Sequence, residues 1–440
     1  MRQLGLASAT AAVAGECIAV GIFLTPAGMA KSLGSPFWLL LVWIAVGILT
    51  ISGALTFGEL ASRFPREGGI YVYLYETWGP CLAFLYGWMC LLVLDPGLSA
   101  ALATGLASYA GYVLHVSGPL MKVIAIAAIW LLCLLNVLSL RISAGVLRWA
   151  TWLKLGILAL LIFWALAFRL GSWSNFVPFV EQRSGSLPLG PALGAGMVGA
   201  FFSFGGWWDV SKIGGEMRDP GRTLPRAMLV GVLLVTGAYI VVSGIFLYLV
   251  PLTKVTSDQT FVAQAGAVLF GPLGGKVLAA IVVLCVFSSL SALIMAAPRV
   301  YYAMAQDGLF LHAVARVDPR YGTPALAILI QGTIATVLVV MGNFDEIIAY
   351  FIFVAVVFLG LTGVGLMISR SKNRGVEPTF RTPLYPVPAI AYLILILALM
   401  LLLALHSRRE AILGTIVVLI GVPVYRAFDR KRSHVRRSSA

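Results

Sequence analysis

Four ionisable side chains, Glu16, Asp95, Lys154 and Asp209, stand inside or at the edge of long apolar stretches. A charge at membrane depth is costly and marks a substrate, ion or proton path by default. Two of the four lie beside glycine-rich interruptions. Glu16 belongs to Gly15-Glu16-Cys17-Ile18-Ala19-Val20-Gly21-Ile22-Phe23, with Pro26 just beyond, and Asp209 closes Phe201-Phe202-Ser203-Phe204-Gly205-Gly206-Trp207-Trp208-Asp209. Glycines at the centre of a span predict a broken helix, whose unpaired backbone groups must line a cavity or a ligand, because lipid cannot satisfy them. The N–H groups that start the second half-helix suit an anion, and the carbonyls that end the first half-helix accept from a cation. A matched pair of interrupted spans in the two halves of a chain points to a transport site.

The remaining charges have several readings. Glu16 neutralises Lys154, binds a cationic group, titrates as a proton carrier, or sits in a structural ion pair. Lys154 lies seven residues into its span; it serves the site, carries a proton after burial lowers its affinity for one, or snorkels to the headgroups. Asp95, followed by Pro96, is a functional candidate or a structural one. Glu59 is expected to anchor the inner loop through Arg63 or Arg66. Trp208 and Asp209, which close the second interruption, are further candidate site residues.

These residues need a membrane scaffold. The 440-residue chain is 60% hydrophobic and 11% charged, and apolar runs long enough to cross about 30 Å of hydrocarbon recur throughout. Twelve spans are predicted, at 5–31, 37–62, 81–113, 121–140, 147–169, 191–213, 226–250, 273–303, 324–341, 344–369, 384–405 and 411–428. With the N-terminus inside, 22 of the 31 Lys and Arg residues fall on the cytoplasmic side, Lys212 among them. That asymmetry places both termini in the cytoplasm of a cell-membrane protein and accounts for the net charge of +14 without nucleic acid. No cleavable signal peptide is expected before the first span. The basic tail, 429–440, either rests on anionic lipid or is solvated. Spans one to five (1–169) and six to ten (170–369) read as two copies of opposite orientation, followed by 370–428. Segments 65–79, 256–271 and 304–322 are expected to be structured links, the first aromatic and amphipathic.

The exclusions are informative. No HExxH, GxSxG or paired His-Asp pattern appears, so an embedded enzyme is not expected. The five cysteines make no metal spacing, and neither metal nor cofactor is expected. There is no soluble output domain for a sensor, and mid-membrane breaks suit an occluded site better than a channel.

Gly21-Ile22-Phe23-Leu24-Thr25-Pro26, Pro65…Gly68-Gly69…Tyr71-Val72-Tyr73-Leu74, Phe204-Gly205-Gly206-Trp207 with Glu216-Met217…Pro220…Arg222…Leu224-Pro225, Arg299…Tyr302-Ala303-Met304-Ala305…Asp307-Gly308 and Gly322-Thr323-Pro324 occur in this order. Together they resemble the amino acid–polyamine–organocation superfamily, in its L-type amino acid transporter branch. The resemblance implies an all-α, LeuT-like fold of twelve helices, with a 5+5 inverted repeat plus two and with discontinuous first and sixth spans. It implies alternating access, a sodium-independent mechanism and exchange of small or medium neutral L-amino acids, with a proton-coupled amino acid or cationic amine symporter as the alternative. By resemblance, amides around Val20, Gly21 and Ile22, in the loosened stretch from Ile18 and Ala19, hold the substrate carboxylate. Carbonyls near Phe202, Ser203 and Phe204, just before Gly205, receive its ammonium, and Phe202 is the lid. Lys154 replaces a sodium ion, with Gly15 and Ser288 or Ser289 as partners. The chain departs from the family at Ala19-Val20-Gly21, where Gly-Ser-Gly or Gly-Ala-Gly is usual, and the bulkier Val20 implies a smaller pocket floor. No cysteine is placed for a disulfide-linked companion, so no heavy-chain subunit is expected.

Overall fold

The computed structural model describes residues 5–18, 21–66, 68–138, 154, 156–217, 219–255, 261–316 and 323–438. Among these the fold is helical throughout. In chain order the helices are α1 (Leu6–Cys17), α2 (Gly21–Leu33), α3 (Pro36–Arg63), α4 (Ile70–Trp78), α5 (Pro80–Leu114), α6 (Pro119–Leu138), α7 (Gly156–Ala167), α8 (Leu189–Phe204) and α9 (Pro220–Leu249). They continue with α10 (Phe261–Ala296), α11 (Pro298–Gln306), α12 (His312–Ala315), α13 (Ala325–Met341), α14 (Phe344–Ser371), α15 (Val387–His406) and α16 (Arg408–Ser438). Proline opens several of them because the first turn needs no N–H from it. Asn343 and Glu346 form a capping box at α14, each side chain accepting from the other's backbone N–H at 3.0 Å.

Among the described residues, ten of the predicted spans have helices long and apolar enough to cross a membrane. The ninth corresponds to the shorter apolar helix α13, and of the fifth, 147–169, residues 147–153 and 155 lie outside the described set and α7 is the described part. The 65–79 link is mostly the buried helix α4, whose Tyr71 hydroxyl donates to Asp307 at 2.7 Å. The outer cap forms the start of α10 and ends at a kink where Phe270 and Gly271 leave helical angles; its residues 256–260 lie outside the described set. The inner cap is α11 and α12, with 317–322 likewise outside it. The basic tail continues α16 as helix to Ser438.

The helices pack in pairs that are distant in sequence. α3 lies along α9, α5 along α10, α2 along α8, α1 along α9, and α6 along α13. The core between them is apolar. Tyr71, Tyr73, Trp43 and Trp207 are among its largest fully buried side chains. Helix α5 is not uniform: residues Cys90–Leu94 form a π turn directly before Asp95-Pro96. Proline cannot return a hydrogen bond to the preceding turn, and a widened turn is a common device at functional positions.

Near the end of α3, the fully buried Glu59 accepts from Arg63 Nε at 3.1 Å, as expected. It also accepts from both Arg370 Nε and Arg370 Nη2 on α14, and from the Thr382 N–H at 2.8 Å. Arg66, the other expected partner, pairs instead with Glu76 at 3.1 Å.

Candidate functional site

The expected second break is present. At the first, α1 ends at Cys17, and α2 is described from Gly21. Ala19 and Val20, at the centre of the first break, lie outside the described residues. α8 ends at Phe204; Gly205 turns to φ −50°, ψ 144°, and Gly206 adopts φ +101°, a conformation L side chains rarely adopt. A short 3-10 segment, Asp209–Glu216, follows.

The two breaks are clasped together. A Cβ on Gly21 would lie 2.1 Å from Ser203 Cα, so α2 and α8 touch backbone to backbone. Four residues on, the hydroxyls of Thr25 and Ser203 share a hydrogen bond of 2.6 Å. The Tyr239 hydroxyl of α9 lies 2.6 Å from the Cys17 carbonyl and 2.7 Å from the Ser203 carbonyl, so one proton bridges the freed ends of α1 and α8. Gly21→Ala is therefore expected to destabilise the protein by about 1–3 kcal/mol, the usual cost of overpacking. Gly237→Ala, with open space around it, is the neutral control; equal melting temperatures for the two variants would refute the close contact.

The carbonyls assigned to a ligand cation are already in use. Phe202 O accepts from Gly205 N at 3.0 Å, Ser203 O from Tyr239, and Phe204 O from the Cys17 thiol at 3.3 Å. Each carbonyl keeps a second lone pair.

Between the breaks lies a cavity of about 160 Å³. The first break contributes Gly15, Glu16 and Gly21 to it, and the second contributes Phe202, Gly205, Trp208 and Asp209. Lys154, Ser289 of α10 and Asp95 of α5 complete its polar lining. Residues from five separate sequence regions thus meet in one space. Ile18, Ile22, Ser203, Phe204 and Ser288 are buried beside it without lining it.

Lys154 is 1% exposed and donates to Ser289 Oγ at 2.6 Å. Ser289 in turn donates to the Cys285 carbonyl at 3.1 Å, and the Ser288 hydroxyl donates to that same carbonyl at 2.8 Å. Glu16 faces the cavity within electrostatic range of Lys154, and Gly206 packs flush against it: a Cβ there would meet Glu16 Cβ at 3.1 Å. Phe202 closes another side, its ring 6.2 Å from that of Phe351 on α14. Trp208 stacks on Phe201 at 6.1 Å.

Asp209 pairs with Lys212 at 2.8 Å, and Asp95 accepts from the Tyr301 hydroxyl. This corrects one expectation. Lys212, counted as a cytoplasmic-loop cation, is only 7% exposed and lies within the packed helices. The Asp-x-x-Lys spacing was its available signal, since residues three apart face each other on a helix. Tyr239, Tyr301 and Phe351 were also missed. They are ordinary aromatic residues in apolar helices, and only the tertiary fold brings them here. Among the described residues no three His, Cys, Asp or Glu side chains are grouped to hold a metal.

A bundle of long apolar helices, two of them broken around a buried polar cavity, defines a multi-pass membrane protein of the transporter class. The chain belongs to the amino acid permease family, which it matches over residues 4–422. It is 30% identical over 438 residues to the serine/threonine exchanger SteT of Bacillus subtilis (strain 168), covering 98% of each chain. It is 30% identical over 436 residues to the human b(0,+)-type amino acid transporter 1, covering 97% of this chain and 88% of that one. To the human cystine/glutamate transporter it is 26% identical over 438 residues, covering 97% and 85%.

Proposed function

We propose that the protein is a sodium-independent exchanger of small or medium neutral L-amino acids, working by alternating access around the cavity between the two breaks. The observation that carries this reading is the Lys154 ammonium, buried on Ser289 at the wall of that cavity. A fixed cation beside the first break supplies the charge that a bound sodium ion would otherwise bring. The broken ends supply N–H groups for a carboxylate and second lone pairs for an ammonium. Exchange and a small polar substrate are supported by the name of the Bacillus relative.

In this reading the spans number twelve, with both termini in the cytoplasm. Residues 1–169 and 170–369 form inverted repeats, followed by 370–428 and the tail at 429–440. The packing supports the repeat: α2 with α8, α3 with α9, α5 with α10 and α6 with α13 each join elements five spans apart. The chain works without a heavy-chain subunit, in keeping with its cysteines. Four are buried, and the exposed Cys81 lies at the start of α5.

Substrate counterflow in proteoliposomes, with and without a proton gradient, tests the reading. Uptake is expected to be stimulated by amino acid on the opposite side and to be indifferent to the gradient. Gradient-dependent uptake without trans-stimulation would replace exchange by proton symport. Phe202 is the lid, and Phe202→Ala is expected to raise the apparent Km about fivefold, the equivalent of about 1 kcal/mol of aromatic contact. An unchanged Km would remove Phe202 from that role.

A further inference from the structure

Asp95 is a buried carboxylate in an apolar wall. It is 2% exposed, and its neighbours in the cavity lining are Leu94, Leu98 and Leu102 of its own helix, facing Phe351 and Ile352 of α14. Its Oδ2 accepts from Tyr301, a neutral donor. Its Oδ1 has no hydrogen-bond partner among the described residues. The nearby Lys212 acts on Asp95 electrostatically but is committed to Asp209 at 2.8 Å and forms no ion pair with Asp95. The other buried charges of the cavity are matched, Asp209 with Lys212 and Lys154 with its neighbours Ser289 and Glu16. Asp95 is therefore a cavity carboxylate with no cation paired to it and with one oxygen open to a donor. Burying such an oxygen without a donor is unfavourable unless the occupant of the cavity supplies one.

We propose that Asp95 selects the substrate side chain: it accepts a hydrogen bond from a short side chain ending in a proton donor, a hydroxyl or an ammonium. The inference rests on the reading of this cavity as an amino acid site. The helix breaks engage the α-carboxylate and α-ammonium, and Asp95, on the scaffold helix α5, meets the far end of the molecule. The π turn before Asp95 and the missing N–H of Pro96 release the helix from regular winding at this position. Tyr301 holds one carboxylate oxygen and so leaves the other for the ligand. A hydrocarbon side chain of equal size would leave that oxygen unpaired, and this is how a polar site rejects an isostere.

Competition against labelled serine exchange in proteoliposomes tests this. Threonine and valine have nearly the same shape and differ by the donor; 2,4-diaminobutyrate and 2-aminobutyrate form the corresponding ammonium pair. For the wild-type protein, at least one donor-bearing member is expected to compete about tenfold to a hundredfold better than its apolar counterpart, and the pair that shows it identifies the donor. Asp95→Leu is expected to bring that ratio close to one. Asp95→Asn keeps the shape and the Tyr301 contact, and is expected to reduce the ratio without removing it; it serves if the leucine variant does not fold. Exchange of both members of each pair at equal affinity by the wild-type protein would overturn the inference and leave the proposed function standing. So would a ratio unchanged in both variants. The absence of any amino acid exchange would overturn both.

Discussion

Lys154→Ala reduces the exchange rate by at least about a hundredfold, the equivalent of about 2.7 kcal/mol, while the protein still inserts and folds. The ammonium is almost fully buried and donates to Ser289 at 2.6 Å on a helix, α10, that packs chiefly against α5. It therefore ties the cavity wall to the surrounding scaffold. Alanine removes a cation within electrostatic range of Glu16 and leaves Ser289 without its donor. Breaking a buried charged contact from one side costs more than the contact contributes, because the remaining partner stays desolvated. Lys154→Arg keeps the charge but replaces a compact ammonium by a planar fork, and is expected to restore only part of the rate. Initial rates of counterflow at matched protein density measure both variants. Wild-type turnover by Lys154→Ala would remove the residue from the mechanism.

Glu59→Ala is expected to lower stability by about 3–5 kcal/mol, the largest stability loss of any single change considered. Glu59 is completely buried and receives Arg63, Arg370 and the Thr382 N–H. Arg370 also covers the Tyr385 ring at 3.7 Å. The cluster joins α3 to α14 and to the segment before α15. Removing the carboxylate leaves two guanidinium groups facing each other with no anion between them. The exposed pair Arg381–Glu377 is the contrast: its side chains are 68% and 87% exposed, and Glu377→Ala should change stability by less than about 1 kcal/mol. Thermal unfolding in detergent, followed by tryptophan fluorescence, compares them. Similar melting temperatures for Glu59→Ala and Glu377→Ala would contradict the structural role given to the cluster.

What was legible in the sequence was local. Gly21, Gly205 and Gly206 announced breaks because glycine loosens a helix locally and the backbone groups so freed cannot face lipid. Lys154, Asp95 and Glu16 were visible because a charge within an apolar run is conspicuous wherever it folds. The hidden part was tertiary. Tyr239 lies 222 residues from Cys17 and Arg370 lies 311 residues from Glu59. Tyr301 reaches Asp95 across 206 residues. No period or spacing links such residues. Lys212 was misread for a different reason: a lysine near a span end normally faces water, and its burial became visible only once Asp209 was placed beside it. The donors that reach the carbonyls of Phe202, Ser203 and Phe204 from Gly205, Tyr239 and Cys17 were hidden in the same way, and each carbonyl keeps a second lone pair.

The central claim is that amino acids cross this protein by exchange through the cavity between the broken helices, with Lys154 in place of sodium. Efflux of preloaded labelled serine from sodium-free proteoliposomes, with and without external amino acid, tests it most directly. External amino acid is expected to accelerate efflux about tenfold or more, and Lys154→Ala to abolish the acceleration. Efflux that is unaffected by external amino acid, or that requires sodium, would contradict the account.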